Sequence, residues 1–215
     1  MSIFDKFPYI VVEGPIGSGK TTLVRQLADM YSANVLLENA EANPFLPRFY
    51  QDAPRYALPT QIFFLFQRAE QIRELTQRDM FHHHIIADFF LEKDPLFAQL
   101  NLDDEEFSLY RQMYKHLQVQ VPKPDLVIYL QTPVDALVER VNQRNIRYEQ
   151  EIPREYLARL ADAYSEFFHQ YDGAPVLIVN NEKLNITSDE ESLKLLIERI
   201  MQIRGRREFF NPNFE

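Results

Sequence analysis

The chain has no cysteine and no tryptophan among its 215 residues, and only five glycines. Without cysteine there is no disulfide, no thiolate nucleophile and no cysteine-ligated zinc. Positive charge is also short: 23 Lys and Arg against 32 Asp and Glu leave a net charge of −9. Such a surface is poorly suited to nucleic acid as its main partner. Long apolar runs are missing too, and none approaches the roughly 20 residues that cross a bilayer, so no membrane partner is expected. The N-terminal MSIFDKF carries an acid at Asp5 and no apolar core of a secretory signal, which points to the cytoplasm. What is present is ordinary for a globular chain, 46% hydrophobic and 26% charged, and long enough for a single domain over 1–215.

The scarce glycines are concentrated. Three of the five stand at Gly14, Gly17 and Gly19, within YIVVEGPIGSGKTTLVRQL. Gly14 and Gly19, with four residues between them, followed by Lys20 and Thr21, complete the phosphate-loop pattern G-x-x-x-x-G-K-[ST]. Before it, the β-branched run 9–12 reads as a buried strand. After it, Leu23, Leu27 and Met30 recur at helical spacing. Glycine lets backbone N–H groups turn inward on a phosphate, and the following helix presents its positive end to the same anion. Gly14, Gly17, Ser18, Gly19, Lys20, Thr21 and Thr22 therefore make a nucleoside triphosphate site, with Lys20 toward the outer phosphates and Thr21 as a ligand of Mg²⁺.

Four further apolar runs, 34–37, 84–89, 126–130 and 176–179, read as strands. Helical patterns separate them at 21–31, 60–79, 103–120, 134–145, 153–171 and 188–203. The alternation predicts an α/β, three-layer fold of phosphate-loop type, a five-stranded parallel sheet with helices on both faces. Ligands of such sheets bind outside the carboxyl ends of the strands.

Several residues fall at those ends. Glu38 follows the second strand, where position alone leaves open a proton acceptor or a helix-capping, solvated acid. In LPTQIFFLFQRAEQIREL, Gln61 and Arg68 stand seven residues apart on one helical face, roughly 10 Å from each other, with Phe64 and Leu65 between them. An amide and a guanidinium on an apolar wall suit the edge of a planar heterocycle, although the pattern alone also describes a core helix with a polar end. Asp88 ends the third strand and suits Mg²⁺; Asp94 follows six residues later. His82, His83 and His84 are consecutive and cannot share one face of a regular element, so they read as a loop or strand start and not as a metal site. Arg140, Arg144 and Arg147 gather in eight residues of an acidic chain, a composition suited to stabilising phosphoryl charge.

These residues resemble the deoxyribonucleoside kinases, the group that includes deoxycytidine, deoxyguanosine and deoxyadenosine kinases. The specific marks are Glu38 followed by NPFLPRFY, the spacing from Tyr50 to Gln61 to Arg68, and RYEQEIPREYL after the arginines. The resemblance runs from Tyr9 to about Val179. It implies ATP-dependent phosphorylation of the 5′-hydroxyl of a deoxyribonucleoside, with Mg²⁺, in a homodimer. It further implies that Glu38 is the base, Tyr50 and Glu149 hold the 3′-hydroxyl, and Gln61, Arg68 and Asp94 read the nucleobase beside Phe64 and Phe97. Arg140, Arg144 and Arg147 would act on the donor phosphates from a lid over about 140–152, opposite Lys20 of the loop. The segments ENAEANPFL and RYEQEIPREYL are similar to those of purine-specific bacterial members, which favours deoxyadenosine or deoxyguanosine, then deoxycytidine, then thymidine.

Two departures stand out. The family's acid–arginine step at the end of the third strand is Asp88–Phe89 here, so another cation, Lys93, is expected in its place. The lid's R-x-R is stretched to Arg144-Asn-Ile-Arg147. A thymidylate-like nucleoside monophosphate kinase is the nearest rival reading, and a degenerate kinase kept as a nucleotide-binding protein is another. A GTPase switch is excluded, because neither D-x-x-G nor N-K-x-D occurs.

Overall fold

Tyr9–Glu13, the first strand (β1), is buried along its whole length, as a strand between parallel neighbours and under helices on both faces must be. The computed structural model describes residues 2–77, 84–117, 122–182 and 189–211. β1 is flanked by Ile85–Ala87 (β3) and Leu126–Gln131 (β4). Asn34–Leu36 (β2) lies outside β3, and Val176–Asn180 (β5) outside β4. A sixth strand, Arg207–Phe210 (β6), pairs with β5, giving the order β2-β3-β1-β4-β5-β6, parallel throughout.

The sheet thus has six strands where five were expected. β6 escapes an apolar-run criterion because it is a sheet edge, half exposed and alternating, with Phe209 turned to solvent. Its neighbours hold it: the guanidinium groups of Arg206 and Arg207 donate to the carbonyls of Asp172 and Tyr171.

Alternate residues of β1 feed opposite layers, as strand geometry requires. Ile10 and Val12 pack with Leu23, Val24 and Leu27 of Lys20–Tyr31 (α2) and with Leu193, Leu196 and Ile200 of Glu190–Gln202 (α9). The short Ile3–Lys6 (α1) joins that layer. Val11 faces the other side, against Leu65 of Ala53–Gln77 (α4), Tyr110 of Asp104–Leu117 (α6), and Tyr164 and Phe168 of Arg154–Gln170 (α8). Each such fully buried side chain contributes about 1.5–3 kcal/mol.

The helices match expectation in part. α4 starts at Ala53, not 60, and carries Pro59 inside. A proline is favoured at a helix start and costly inside one, so it suggests a boundary; here the helix runs through it, with Leu46–Phe49 (α3) packed on α4. Asp94–Asn101 (α5) is a further helix, with Pro95 in its first turn where a missing N–H costs nothing. Val134–Arg144 (α7) matches expectation to within one residue and ends at Asn145, φ 53°. His82 and His83 lie outside the described residues, and His84 stacks on Phe4 at 5.1 Å. Among the described residues no helix is long and apolar enough to cross a membrane.

Candidate active site

The loop after β1 is shaped by its glycines. Gly17 and Gly19 have φ of 85° and 89°, a left-handed backbone that other residues adopt only with strain. Gly17 is also a point of contact: a Cβ there would stand 3.0 Å from the Leu137 carbonyl oxygen and from Val141 Cγ2 of α7. Gly19 opens α2, whose free N–H groups and positive end face the loop. Lys20 folds back, Nζ donating to the carbonyls of Gly14 (2.7 Å) and Pro15 (3.0 Å). Burial, then the charge of Lys93, pull its pKa down to about 8. Ser18 Oγ is buried with no hydrogen-bond partner among the described residues, which leaves its hydroxyl open to a ligand. Thr22 is exposed on the first turn of α2.

One step across the sheet, Asp88 follows β3. Its Oδ2 accepts from the Thr21 hydroxyl at 2.6 Å and its Oδ1 from the Glu38 amide at 2.7 Å. A hydroxyl and a carboxylate so close are oxygen ligands of the kind Mg²⁺ takes, leaving its other positions to phosphate and water.

Glu38 lies just past β2, and a single pocket gathers it with Lys20, Thr21 and Asp88. Tyr50, Gln61, Phe64, Arg68, Phe97, Glu149 and Arg144 line the same pocket. α4 supplies Gln61, Phe64 and Arg68 from one face, as the seven-residue spacing predicts. Arg68 is the hub. Its Nε donates to Glu38 Oε1 at 2.7 Å, its Nη2 donates to the same oxygen, and its Nη1 donates to Asp94 Oδ2. The guanidinium lies over the Phe64 ring at 5.0 Å. Burial alone would raise the Glu38 pKa, but Arg68, Lys93 and Lys20 outweigh it and hold the carboxyl at about 2.

Asp94 does not line the pocket. It is fully buried behind Arg68, with its second oxygen taken by the Tyr110 hydroxyl. Gln61 Oε1, by contrast, is buried with no hydrogen-bond partner among the described residues. Tyr50 stacks on Tyr148 at 6.2 Å and 8°, which ties the segment after α7 to the pocket wall. Glu149 sits there, 3.8 Å from Arg144, its pKa raised by burial.

The three arginines are not brought together. Arg144 lines the pocket, whereas Arg140 turns away and donates to the Asn181 carbonyl at 3.2 Å. Asn181 in turn donates to the Ser18 carbonyl at 2.8 Å. Arg147 is exposed and outside the pocket. One turn of spacing puts Arg140 and Arg144 on one side of α7, but an arginine's length lets each find a different partner.

Residues that sequence reasoning missed complete the walls, Tyr156 and Tyr164 from α8 and Thr60 from α4, and the fully buried Glu13 is paired with the wall residue Lys93. Glu13 had a signal. A carboxylate closing an otherwise apolar strand just before a phosphate loop is costly unless partnered. Lys93, expected as a substitute cation, is buried at the pocket wall with its Nζ 3.0 Å from Glu13.

A family model described as deoxynucleoside kinase matches residues 10–203. The deoxyadenosine kinase of Lactobacillus acidophilus is 29% identical over 212 residues, covering 90% of this chain and 97% of that protein. The deoxyguanosine kinase of Bacillus subtilis is 27% identical, covering 91% and 97%. A solved structure of deoxyadenosine kinase from M. mycoides with bound dCTP superposes with a TM-score of 0.78 at 25% identity, covering 90% of this chain and 99% of that one.

Proposed function

The chain belongs to the deoxynucleoside kinase family, and on that premise we propose how its parts divide the reaction. It is a phosphotransferase of nucleotide salvage, passing the terminal phosphoryl group of ATP to the 5′-hydroxyl of a deoxyribonucleoside. The observation that carries the assignment is that Glu38 shares one pocket with Lys20, Thr21 and Asp88, its own amide fixed on Asp88.

Lys20, Ser18 and the loop N–H groups hold the donor phosphates. Glu38 accepts the 5′-hydroxyl proton as the O5′–P bond forms and the bond to the leaving phosphate oxygen breaks. A carboxyl held near 2 is a weak base but is always ionised and always placed. That suffices where the transition state is loose and the nucleophile loses its proton late. Thr21 and Asp88 hold Mg²⁺, which when bound neutralises charge on the phosphate oxygens. Arg144 meets the transferring group from the end of α7, with Arg140 on the donor side of the loop; of the lid expected over about 140–152, the part beyond Asn145, with Arg147 at its outer edge, is the part that closes.

Tyr50 and Glu149 receive the 3′-hydroxyl. Gln61 and Arg68 read the base between Phe64 and Phe97, and Asp94 acts through Arg68 by fixing the guanidinium. An acceptor amide beside a fixed cation suits a base with an exocyclic amine next to a ring acceptor, which places thymidine last. The likeness of ENAEANPFL and RYEQEIPREYL to purine-specific members, with deoxyadenosine and deoxyguanosine kinases among the relatives, places deoxyadenosine or deoxyguanosine first and deoxycytidine next. A cytoplasmic homodimer completes the proposal, its mass readable by analytical ultracentrifugation. The decisive experiment is ATP turnover with a panel of deoxynucleosides and their 5′-monophosphates. Phosphorylation of the nucleosides alone is the expected result; phosphorylation of the monophosphates alone would make the protein a monophosphate kinase.

A further inference from the structure

Glu13 ends β1 and is completely buried, yet nothing in the reaction above calls for it. Its carboxylate is saturated. Oε1 accepts from the Phe90 amide at 3.2 Å, and Oε2 from the Gly14 amide and the Tyr164 hydroxyl, each at 3.2 Å. The fourth partner is Lys93, whose Nζ lies 3.0 Å from Oε1 and 3.2 Å from Oε2. Burial raises the Glu13 pKa, against the opposing pull of Lys93 and Lys20.

Lys93 is 2% exposed. An ammonium carries three N–H donors, and Glu13 is its hydrogen-bond partner among the described residues, occupying two at most. The Phe97 ring lies on one side of the ammonium, 5.5 Å away, and the pocket shared with Lys20, Glu38 and Asp88 lies on another. A buried ion pair is seldom worth its desolvation as a structural element, and apolar residues of similar volume often replace it without loss. This pair joins the first residue of the donor loop to the acceptor pocket.

We propose that Lys93 is the acceptor-side cation of the reaction, giving its free N–H to the phosphoryl oxygens as they arrive on the 5′-oxygen, and that Glu13 is the residue that positions it. Lys93 keeps all its protons: the 5′-hydroxyl proton goes to Glu38, and the ammonium answers the charge that moves toward the acceptor. Glu13 sets where that ammonium stands relative to Gly14, so donor and acceptor share one reference point. The proposal rests on the kinase reading, and wild-type turnover, assayed alongside, tests that reading separately.

The experiment compares Lys93→Met, Glu13→Gln and the double variant, using the deoxynucleoside that wild-type protein phosphorylates best and its own 5′-monophosphate. Lys93→Met should lower kcat by about 10²–10³-fold, the usual loss for one transition-state donor. Its affinity for the monophosphate, by calorimetry, should fall at least tenfold, with nucleoside affinity within about threefold. A role in structure alone would move both affinities together. Glu13→Gln should lower kcat in the wild-type background and change it little once Lys93 is methionine. Either single variant risks misfolding by orphaning a buried charge, and the double variant removes both charges and carries the test if a single does not fold. A Lys93→Met or double variant with kcat within threefold of wild type, or with nucleoside and monophosphate affinities lost equally, overturns the proposal.

Discussion

Replacing Arg68 with methionine should destabilise the protein by ~3–5 kcal/mol, the usual cost of removing one partner from a buried charge pair. The structure says where the cost arises. Arg68 is 4% exposed and serves two carboxylates: Asp94, with a side chain 0% exposed, and Glu38, at 23%. Glu38 borders the pocket and recovers water when its partner goes. Asp94 cannot; among the described residues it keeps the Tyr110 hydroxyl alone. Methionine restores much of the volume but none of the five donors. The loss therefore belongs mainly to one orphaned carboxylate, and neutralising that group should return a large part of it. Arg68→Met with Asp94→Asn should regain about half, since an amide in the same place still meets Tyr110 and carries no charge. Urea titration of ligand-free protein at pH 7 measures both steps, and thermal melts should show the single variant roughly 6–20 °C lower. A single variant within 1 kcal/mol of wild type, or a double variant less stable than the single, would refute the argument.

Glu38→Gln keeps shape but cannot take a proton, so kcat should fall by about 10²–10⁴-fold with nucleoside affinity nearly unchanged; wild-type turnover would move the base elsewhere, with Glu41 the first suspect. The same substitution has a signature in pH. The folded pKa of Glu38 is depressed from 4.5 to about 2, so its stabilisation is complete above about 4.5 and is lost as pH falls toward 2. Acid titration of the glutamine variant should be shallower across that window, and an unchanged slope would mean that Arg68 does not hold the ionised form. Arg144→Ala should cut kcat by roughly 10–10³-fold through lost charge stabilisation. Its melting temperature should stay within about 1 °C, because the side chain is 38% exposed and its ion pair is 3.8 Å long. Arg68→Met together with Asp94→Ala should shift the ratio of kcat/KM toward thymidine; a wild-type protein that already prefers thymidine shows that this pair does not read the base.

The strand, loop and helix from Tyr9 to Tyr31 were legible in the sequence because every determinant is local: glycine torsions, an apolar run, and helical spacing within one segment. Glu38 and Asp88 were legible as positions, since residues past parallel strands face the ligand side whatever else happens. Partners were harder. Arg68 and Glu38 are 30 residues apart, and Lys93 and Glu13 are 80 apart, so their meeting is a property of the packed sheet and of no single segment. Arg140 shows the opposite failure. Its place on α7 was readable, but a long side chain chooses its partner in three dimensions, and it chose the carbonyl after β5. β6 and α5 were missed for a shared reason: a half-exposed edge strand and a one-sided two-turn helix leave little periodic trace.

The close approach of Gly17 to α7 divides the proposed lid, at about position 145, into a tethered post and an arm expected to swing. Leu137 and Val141 bear on the loop at one point. The chain Arg140 to Asn181 to Ser18 ties the same helix to it at a second. A helix held at two points to the donor loop is the less free part of the proposed lid, so closure is expected to hinge at the left-handed turn at Asn145. Arg144 is then part of the anvil, and Arg147, Tyr148 and Glu149 are the hammer. Changes in segment length should follow the same line: an added residue beyond Asn145 alters the reach of the arm, whereas one within 137–144 pulls the post away from the loop.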